Sequence, residues 1–267
     1  MIGLAVIIGE AIALGRTPPL TESLAGFLTA FLMMAGTMAL NDVHDLETDR
    51  VNSPSRPLAS GRIGVGEAKN ASIILSALSI IFAAFLGVWT TLVALFALFL
   101  MVYYNTRGKR TGLPGNIVVS FNVALPFFYG GVAVGSLRPL LFIFSVIAFL
   151  ANLGREVAKG IPDVQGDQTM GIRTLAVSRG PKFASQVSAS LFLLAVLLSF
   201  LPTILTFSGL SVWYFPGVLL ADLGFVYSSS RLLISQKPDS LRKVKNQVLL
   251  WMLLGLVGFL LGGAATP

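Results

Sequence analysis

Residues 41–62 read N-D-V-H-D-L-E-T-D-R-V-N-S-P-S-R-P-L-A-S-G-R and gather four acids, three arginines and the only histidine of the chain. Asn41, Asp45 and Asp49 are four residues apart, so on a helix they lie along one face, about one turn apart. Such a row of oxygen ligands suits Mg²⁺. The helix should end before Pro54, because proline cannot continue it. The stretch therefore predicts a helix end that carries a metal site.

Arginines follow the acids within the same stretch. Arg50 and Arg56 come after the acidic row, and Asp42 lies within it. A guanidinium group offers several donors to phosphate oxygens. Acids that hold a cation, followed by arginines that hold an anion, are typical of a metal–phosphate site. We therefore predict that Asp42 is part of the catalytic group and that Arg50 and Arg56 bind a phosphate-bearing substrate.

The rest of the chain is strongly apolar. Of its 267 residues, 55% are hydrophobic and 12% are charged, whereas a soluble domain has about 25% charged residues. Runs of about 20 apolar residues recur, as membrane-spanning helices require. The absence of cysteine excludes disulfides and cysteine-ligated metals, and a single histidine excludes the usual multi-histidine sites. These features predict an all-α, polytopic membrane protein that forms one domain over residues 1–267.

The polar segments between the apolar runs set the expected topology. Long polar connections are expected at 44–69, 106–114, 157–182 and 233–246, and all but two of the 19 Lys and Arg residues lie in or beside them. The positive-inside rule then places these loops and the amino terminus in the cytoplasm. The net charge of +7 fits basic loops that face an anionic leaflet better than it fits nucleic acid. The nine expected spans are 2–15, 22–43, 70–87, 90–105, 115–135, 139–156, 183–201, 211–232 and 247–263.

The first of these spans is short for a membrane. A helix over 2–15 is about 21 Å long, against a hydrocarbon core of about 30 Å. Two explanations are open: the helix is partly buried among its neighbours, or the protein continues upstream of Met1.

A second acidic cluster lies in the third long loop. Asp163 and Asp167 again stand four residues apart, and Lys159 and Arg173 flank them with positive charge. By topology this loop is on the same side of the membrane as the first cluster. Two acid pairs that face one another would repel unless cations lay between them, which is the physical argument for Mg²⁺. The predicted metal ligands are Asn41, Asp45, Asp49, Asp163 and Asp167, and the four aspartates among them are also predicted to be catalytic.

Basic residues also cluster at the end of the fourth span. Lys109 and Arg110 are candidates for binding the diphosphate of a donor or the phosphate of an acceptor, together with Lys159 and Arg173. The alternative interpretation is a topology signal at the membrane interface. Asp222 lies inside the eighth span, where an acid usually has a partner. We favour a hydrogen-bond acceptor inside the bundle, and the alternative is a contact to the polar end of the acceptor substrate.

These motifs resemble those of the UbiA superfamily of intramembrane prenyltransferases. The family motif Asn-Asp-x-x-Asp-x-x-x-Asp matches Asn41 to Asp49, Arg-x-x-x-x-x-Arg-Pro matches Arg50 to Pro57, and Asp-x-x-x-Asp matches Asp163 and Asp167. The resemblance implies nine helices around a central cavity, with Mg²⁺ and diphosphate at the cytoplasmic mouth and the prenyl chain in the apolar interior. Two departures are Gly160, where family members often carry an acid, and the lack of an Arg-Pro-x-Asn start to the first span.

Within that superfamily the chain looks most like the archaeal lipid branch. Its segments R-P-L-A-S-G-R-I and P-D-V-Q-G-D carry this likeness. The resemblance implies a prenyl diphosphate donor, above all one that carries a geranylgeranyl group. It also implies a lipid-soluble acceptor, geranylgeranylglyceryl phosphate, which reacts through its free hydroxyl. An aromatic acceptor, as in quinone, haem or chlorophyll synthesis, is the alternative. A transporter is a distant alternative, because transporters place their acids near the midplane rather than at one face.

Overall fold

The computed structural model describes residues 1–169, 171–205, 210–235 and 238–263, and every regular element in them is a helix. The prediction of an all-α protein is therefore confirmed. The helices are α1 (Ile2–Leu14), α2 (Leu20–His44), α3 (Leu46–Asn52), α4 (Val65–Leu86), α5 (Val88–Thr106), α6 (Leu113–Ala133), α7 (Pro139–Lys159), α8 (Val164–Thr169), α9 (Leu175–Arg179), α10 (Pro181–Ser199), α11 (Leu201–Leu205), α12 (Tyr214–Ile234) and α13 (Pro238–Gly263), with a 3₁₀ turn at Gly108–Thr111.

Eight helices in the described residues are long and apolar enough to cross a membrane, and α1 is a shorter apolar helix of 13 residues. The chain is thus a multi-pass membrane protein, and the nine predicted spans correspond to these eight helices plus α1. Most of α1 is buried among its neighbours; Val6 and Ile12, for example, have no exposed surface. A short helix can lie within the apolar layer when other helices cover it in this way.

Several predicted boundaries were wrong. Helix α4 begins at Val65 rather than at residue 70, because Gly64 and Glu67 form a cap in which the Gly64 amide donates to Glu67 Oε2 over 2.7 Å. Helix α13 begins at Pro238, so most of the predicted loop 233–246 is helical; residues 236 and 237 of that loop, like Met170 in the loop 157–182, lie outside the described residues. The apolar run sets the minimum length of a spanning helix. The backbone hydrogen bonds of the helix continue into the polar sequence beside it, so the helix is longer than the apolar run.

The eight spanning helices and the shorter α1 form a closed ring. Each of them packs on the next in chain order, and α13 packs back on α1. Further contacts cross the ring, between α1 and α6, between α2 and α5, and between α7 and α13. The interior on the α13 side contains stacked aromatic rings, with the centroids of Phe144 and Phe259 3.9 Å apart, beside an apolar cavity of about 80 Å³. The cavities described below lie among α1, α2, α5, α6 and α7.

Glycines bring α1 and α6 close together. A Cβ atom on Gly9 would lie 2.4 Å from the Phe127 carbonyl oxygen, and one on Gly130 would lie 2.3 Å from the Val6 carbonyl oxygen. Small residues allow such close backbone approach between helices in membranes. This crossing fixes the short helix α1 against the wall of the bundle.

We expect Gly9→Ala to destabilise the protein by about 1–3 kcal/mol, because the added methyl group must push α1 away from the α6 backbone. Thermal unfolding in detergent measures this effect. The matched control is Gly66→Ala in α4, where an added Cβ meets nothing within 4 Å. Equal melting temperatures for Gly9→Ala and the unaltered protein would contradict the close crossing.

Candidate active site

The first acidic motif lies at the end of α2 and along α3. Asn41 Nδ2 donates to Asp45 Oδ2 over 3.0 Å, so these two side chains share one face. Asp45 itself lies between the two helices, but helical backbone bonds continue through it, from Asp45 N to Asn41 O and from Asp49 N to Asp45 O. The shared helical face that the spacing predicts is therefore present.

Arg56 returns over this row of acids. Helix α3 ends at Asn52, before Pro54 as predicted, and the turn that follows carries Arg56 back to α3. Arg56 Nη1 donates to Asp49 Oδ2 over 2.7 Å and lies 3.6 Å from Asp42 Oδ1. The hydrogen bond and charge of Asp49 raise the pKa of Arg56 above its ordinary value. The first motif thus carries its own cation beside two of its acids.

The other arginines of the stretch have different partners. Arg50 pairs with Glu47 over 2.8 Å on the exposed side of α3. Arg62 donates to the Ser55 carbonyl oxygen over 2.6 Å and braces the loop. Arg56 is therefore the arginine of this stretch that the structure places on the acidic row, and substrate binding by Arg50 stays a prediction.

Lys109 reaches the first motif from the 3₁₀ turn. Its Nζ atom contacts Asp45 Oδ2 in an ion pair that joins residues 64 positions apart. The turn is packed tightly on the start of α6, because a Cβ on Gly115 would lie 2.1 Å from the Gly108 carbonyl oxygen. This packing holds the Lys109 ammonium against the carboxylate of Asp45.

The second acidic motif lies at the start of α8. The Asp167 amide donates to the Asp163 carbonyl oxygen over 2.9 Å, so the two acids stand one helical turn apart. Partial burial of Asp167, and then the neighbouring Asp163 carboxylate, raise the pKa of Asp167 above its usual range. A cation bound between the two carboxylates would relieve both effects.

The turn with Lys109 also supports the loop of the second motif. The Arg173 amide donates to the Arg110 carbonyl oxygen over 3.4 Å. Gly112 has a φ of +73°, and a Cβ there would lie 1.8 Å from the Arg173 carbonyl oxygen, so this position requires glycine. The side chains of Arg110 and Arg173 are exposed. Through this turn the structure places both acidic motifs at the same end of the bundle.

A polar cavity of about 300 Å³ opens at this end, between α2, α5, α6 and α7. Asn41, Lys109 and Lys159 line it, and so does Glu156, which the sequence pattern did not single out. Tyr104 lines the same cavity, and Lys109 connects the cavity to Asp45 through its ion pair. The signal that was available for Glu156 was its i, i+3 spacing to Lys159 at the end of α7.

Apolar space adjoins the polar cavity. Met34 and Met101 line both the polar cavity and a deeper apolar one of about 60 Å³. Val93 and Leu125 line this deeper cavity and a third, of about 510 Å³, bounded by five phenylalanines of α5, α6 and α7. These are Phe96, Phe121, Phe128, Phe142 and Phe149. The series leads from charged residues at one end of the bundle to an aromatic groove on its flank.

The acidic side chains of the site suit a Mg²⁺ ion that is bound together with a substrate. Among the residues that the structure describes, no three acidic or histidine side chains converge into one metal cage. The acids are arranged in rows and pairs instead. Mg²⁺ is usually held by one or two carboxylates and completed by substrate phosphate, so the carboxylate and amide oxygens present fit that ion. The predicted ligands are thus suited to a metal that shares a phosphate-bearing substrate.

The fold and the site define a class of protein. A membrane bundle with acids and cations at one mouth, next to a path of apolar and aromatic side chains, is suited to an intramembrane enzyme. Its substrates would have an anionic head and a long apolar chain, and the chemistry would take place where head and chain meet.

The profile of the UbiA prenyltransferase family matches residues 2–255, and the chain belongs to that family of prenyltransferases. It is similar to the digeranylgeranylglyceryl phosphate synthase of Sulfolobus acidocaldarius, with 36% identity over 88% of this chain and 83% of the relative. A solved structure described as digeranylgeranylglyceryl phosphate synthase matches with a TM-score of 0.82 and 30% identity, covering 98% of this chain and 93% of that one. A UbiA homologue from Archaeoglobus fulgidus, bound to GPP and Mg²⁺, shares the fold at a TM-score of 0.65 and 20% identity, covering 97% and 95%.

Proposed function

We propose that this prenyltransferase moves a geranylgeranyl group from its diphosphate to the free hydroxyl of geranylgeranylglyceryl phosphate, in the synthesis of archaeal-type ether lipids. The similarity to synthases with that name supports the choice of both substrates. The observation that carries the proposal is the cavity lined by Lys109 and Lys159 beside the acidic row, with apolar space adjoining it. An allylic diphosphate has the matching polarity, with an anionic head and an apolar chain.

Mg²⁺ is the proposed cofactor, and it would neutralise the negative charge of the departing diphosphate. Asn41, Asp45 and Asp49 would hold it from the first motif, and Asp163 and Asp167 from the second. Asp42 supports the first set through Arg56, which lies close to both Asp42 and Asp49. The proposed binders of substrate diphosphate or phosphate are Arg50, Arg56, Lys109, Arg110, Lys159 and Arg173.

The chain's own residues would perform the remaining tasks. The cations at the mouth stabilise negative charge on the diphosphate as the bond between C1 and oxygen breaks. The apolar cavities hold the prenyl chain and keep water from the allylic cation. The acceptor hydroxyl then attacks C1 of this cation, the new C–O bond completes the ether, and the hydroxyl proton is lost; the diphosphate left C1 in the preceding step. This sequence requires no side-chain nucleophile, in keeping with a chain that has no cysteine.

We also propose that the acidic motifs face the cytoplasm and that the whole chain acts as one catalytic unit. Lys109, Lys159 and Arg56 all lie at the end of the bundle that carries the acids. Arg138 lies near the opposite end, where it donates to the Leu14 carbonyl oxygen over 3.3 Å. The positive-inside rule assigns the more basic end to the cytoplasm.

The test is a transfer assay with purified protein in detergent and radiolabelled geranylgeranyl diphosphate. We expect an ether product with geranylgeranylglyceryl phosphate, and we expect EDTA to lower its formation at least about 100-fold, since the metal carries much of the charge stabilisation. Added Mg²⁺ should restore it. Preference for an aromatic acceptor would assign another branch of the family. Failure to release diphosphate in detergent would contradict catalysis and favour transport.

A further inference from the structure

Glu156 is a buried carboxylate at the wall of the polar cavity. Its side chain is 8% exposed, and it lies in the last turn of α7. It lines the cavity together with Lys109 and Lys159. A carboxylate that is removed from water must be paired to remain charged, so its partners indicate what it does.

Both partners of Glu156 are cations of its own helix. Arg155 Nη1 donates to Glu156 Oε1 over 3.0 Å, and the Arg155 side chain is itself only 19% exposed. Lys159 Nζ lies 2.8 Å from Oε2 and 3.1 Å from Oε1, and its side chain is 42% exposed. The arginine therefore anchors the carboxylate from the protein side, and the carboxylate in turn holds the lysine on the cavity side.

This arrangement prepares Lys159 for a ligand. A lysine side chain is flexible, and ordering it during binding weakens affinity. Glu156 orders it in advance. An ammonium group has three donors, and the contacts with Glu156 occupy at most two of them. At least one N–H of Lys159 is left for a ligand oxygen in the cavity. Lys159 lies at the end of α7 and Lys109 lies in the 3₁₀ turn, so the two lysines reach the cavity from different elements.

We propose that Glu156 is a positioning residue that holds the Lys159 ammonium in place to bind a phosphate oxygen of a substrate. The inference rests on the proposed function, because it requires a phosphate-bearing substrate in this cavity. The donor diphosphate and the acceptor phosphate share this chemistry, and the experiment separates them. Both oxygens of Glu156 accept hydrogen bonds from neighbouring cations, which distinguishes it from the acids assigned to Mg²⁺.

The experiment is a double-mutant cycle with Glu156→Gln and Lys159→Met, measured by KM and kcat in detergent with Mg²⁺. We expect each single change to raise the KM of one phosphate-bearing substrate about tenfold, the size of one charge-assisted hydrogen bond, with a smaller effect on kcat. The double variant should bind no more weakly than Lys159→Met alone, because Glu156 acts through Lys159. Glu22→Gln, which changes an acid in the first turn of α2, at the end of that helix opposite to Asn41, is the matched control.

The two possible ligands are separated with simple probes. Weaker inhibition by inorganic diphosphate in Glu156→Gln would assign Lys159 to the donor, and weaker inhibition by glycerol 1-phosphate would assign it to the acceptor. Unchanged KM and inhibition for both probes, or additive losses in the double variant, would overturn the proposal. Thermal unfolding checks that each variant is folded, and Glu156→Asp, whose shorter side chain cannot reach Lys159 as well, replaces Glu156→Gln if that variant does not fold. Failure of the proposed function would instead appear as a lack of transfer by the unaltered enzyme.

Discussion

Replacing Asp45 or Asp167 by alanine is expected to lower kcat about 10³-fold, the upper range for the loss of one electrostatic group that acts on the transition state. Asp45 is held between Asn41 and Lys109 at the cavity, and Asp167 shares its helical turn with Asp163. Each alanine variant would lack a carboxylate of one of the two proposed metal-binding motifs. The measurement is product formation by purified variants across a range of Mg²⁺ concentrations.

The control for this experiment is Glu22→Ala. Glu22 is an acid in the first turn of α2, at the end of that helix opposite to Asn41. We expect turnover within about twofold of the unaltered enzyme, because a surface charge away from the cavity contributes little. Melting temperatures should stay close to the original in all three variants. Full activity in either aspartate variant would refute the assignment of that motif to the metal.

The local part of the site could be predicted from sequence because helix geometry fixes it. The spacing of Asn41 and Asp45 requires a shared face, and the structure shows a hydrogen bond between them. Pro54 limits α3 from the far side, and the helix ends two residues earlier. Asp222 was expected to have a partner inside the bundle, and Ser199 Oγ donates to it over 2.7 Å. Each of these features depends on neighbours in sequence or on the high free energy of an unpaired charge in an apolar layer.

The remaining parts of the site depend on contacts that spacing does not encode. The pairing of Lys109 with Asp45 follows from how the 3₁₀ turn packs on α6 and on the loop at Arg173. Glu156 was missed because it belongs to neither of the two spaced aspartate motifs, and its place at the substrate cavity is visible only once the helices are packed. Of the aromatic residues on α6, Phe121 lines the apolar groove whereas Phe127 packs in the core against Phe259. Whether such a side chain lines the groove or packs in the core depends on how α6 crosses its neighbouring helices.

The second large effect is expected for Lys109→Met, which should lower kcat/KM about 100-fold, because a cation beside the departing diphosphate is lost. Lys109 is the cation that contacts Asp45, and it lines the polar cavity. A change to arginine keeps the charge but not the compact ammonium group, so Lys109→Arg should recover only part of the activity. Steady-state kinetics with varied geranylgeranyl diphosphate measure both variants.

Lys69→Met is the matched control, since Lys69 is an exposed lysine near the start of α4 and has the same charge. It should leave kcat/KM within about twofold, as expected for a surface charge away from the cavity. If Lys109→Met and Lys69→Met had equally small effects, Lys109 would be a topology signal and the contact with Asp45 would have no role in catalysis. A large loss for Lys109→Met alone, with an unchanged melting temperature, would instead locate the diphosphate at the contact between the first acidic motif and the 3₁₀ turn.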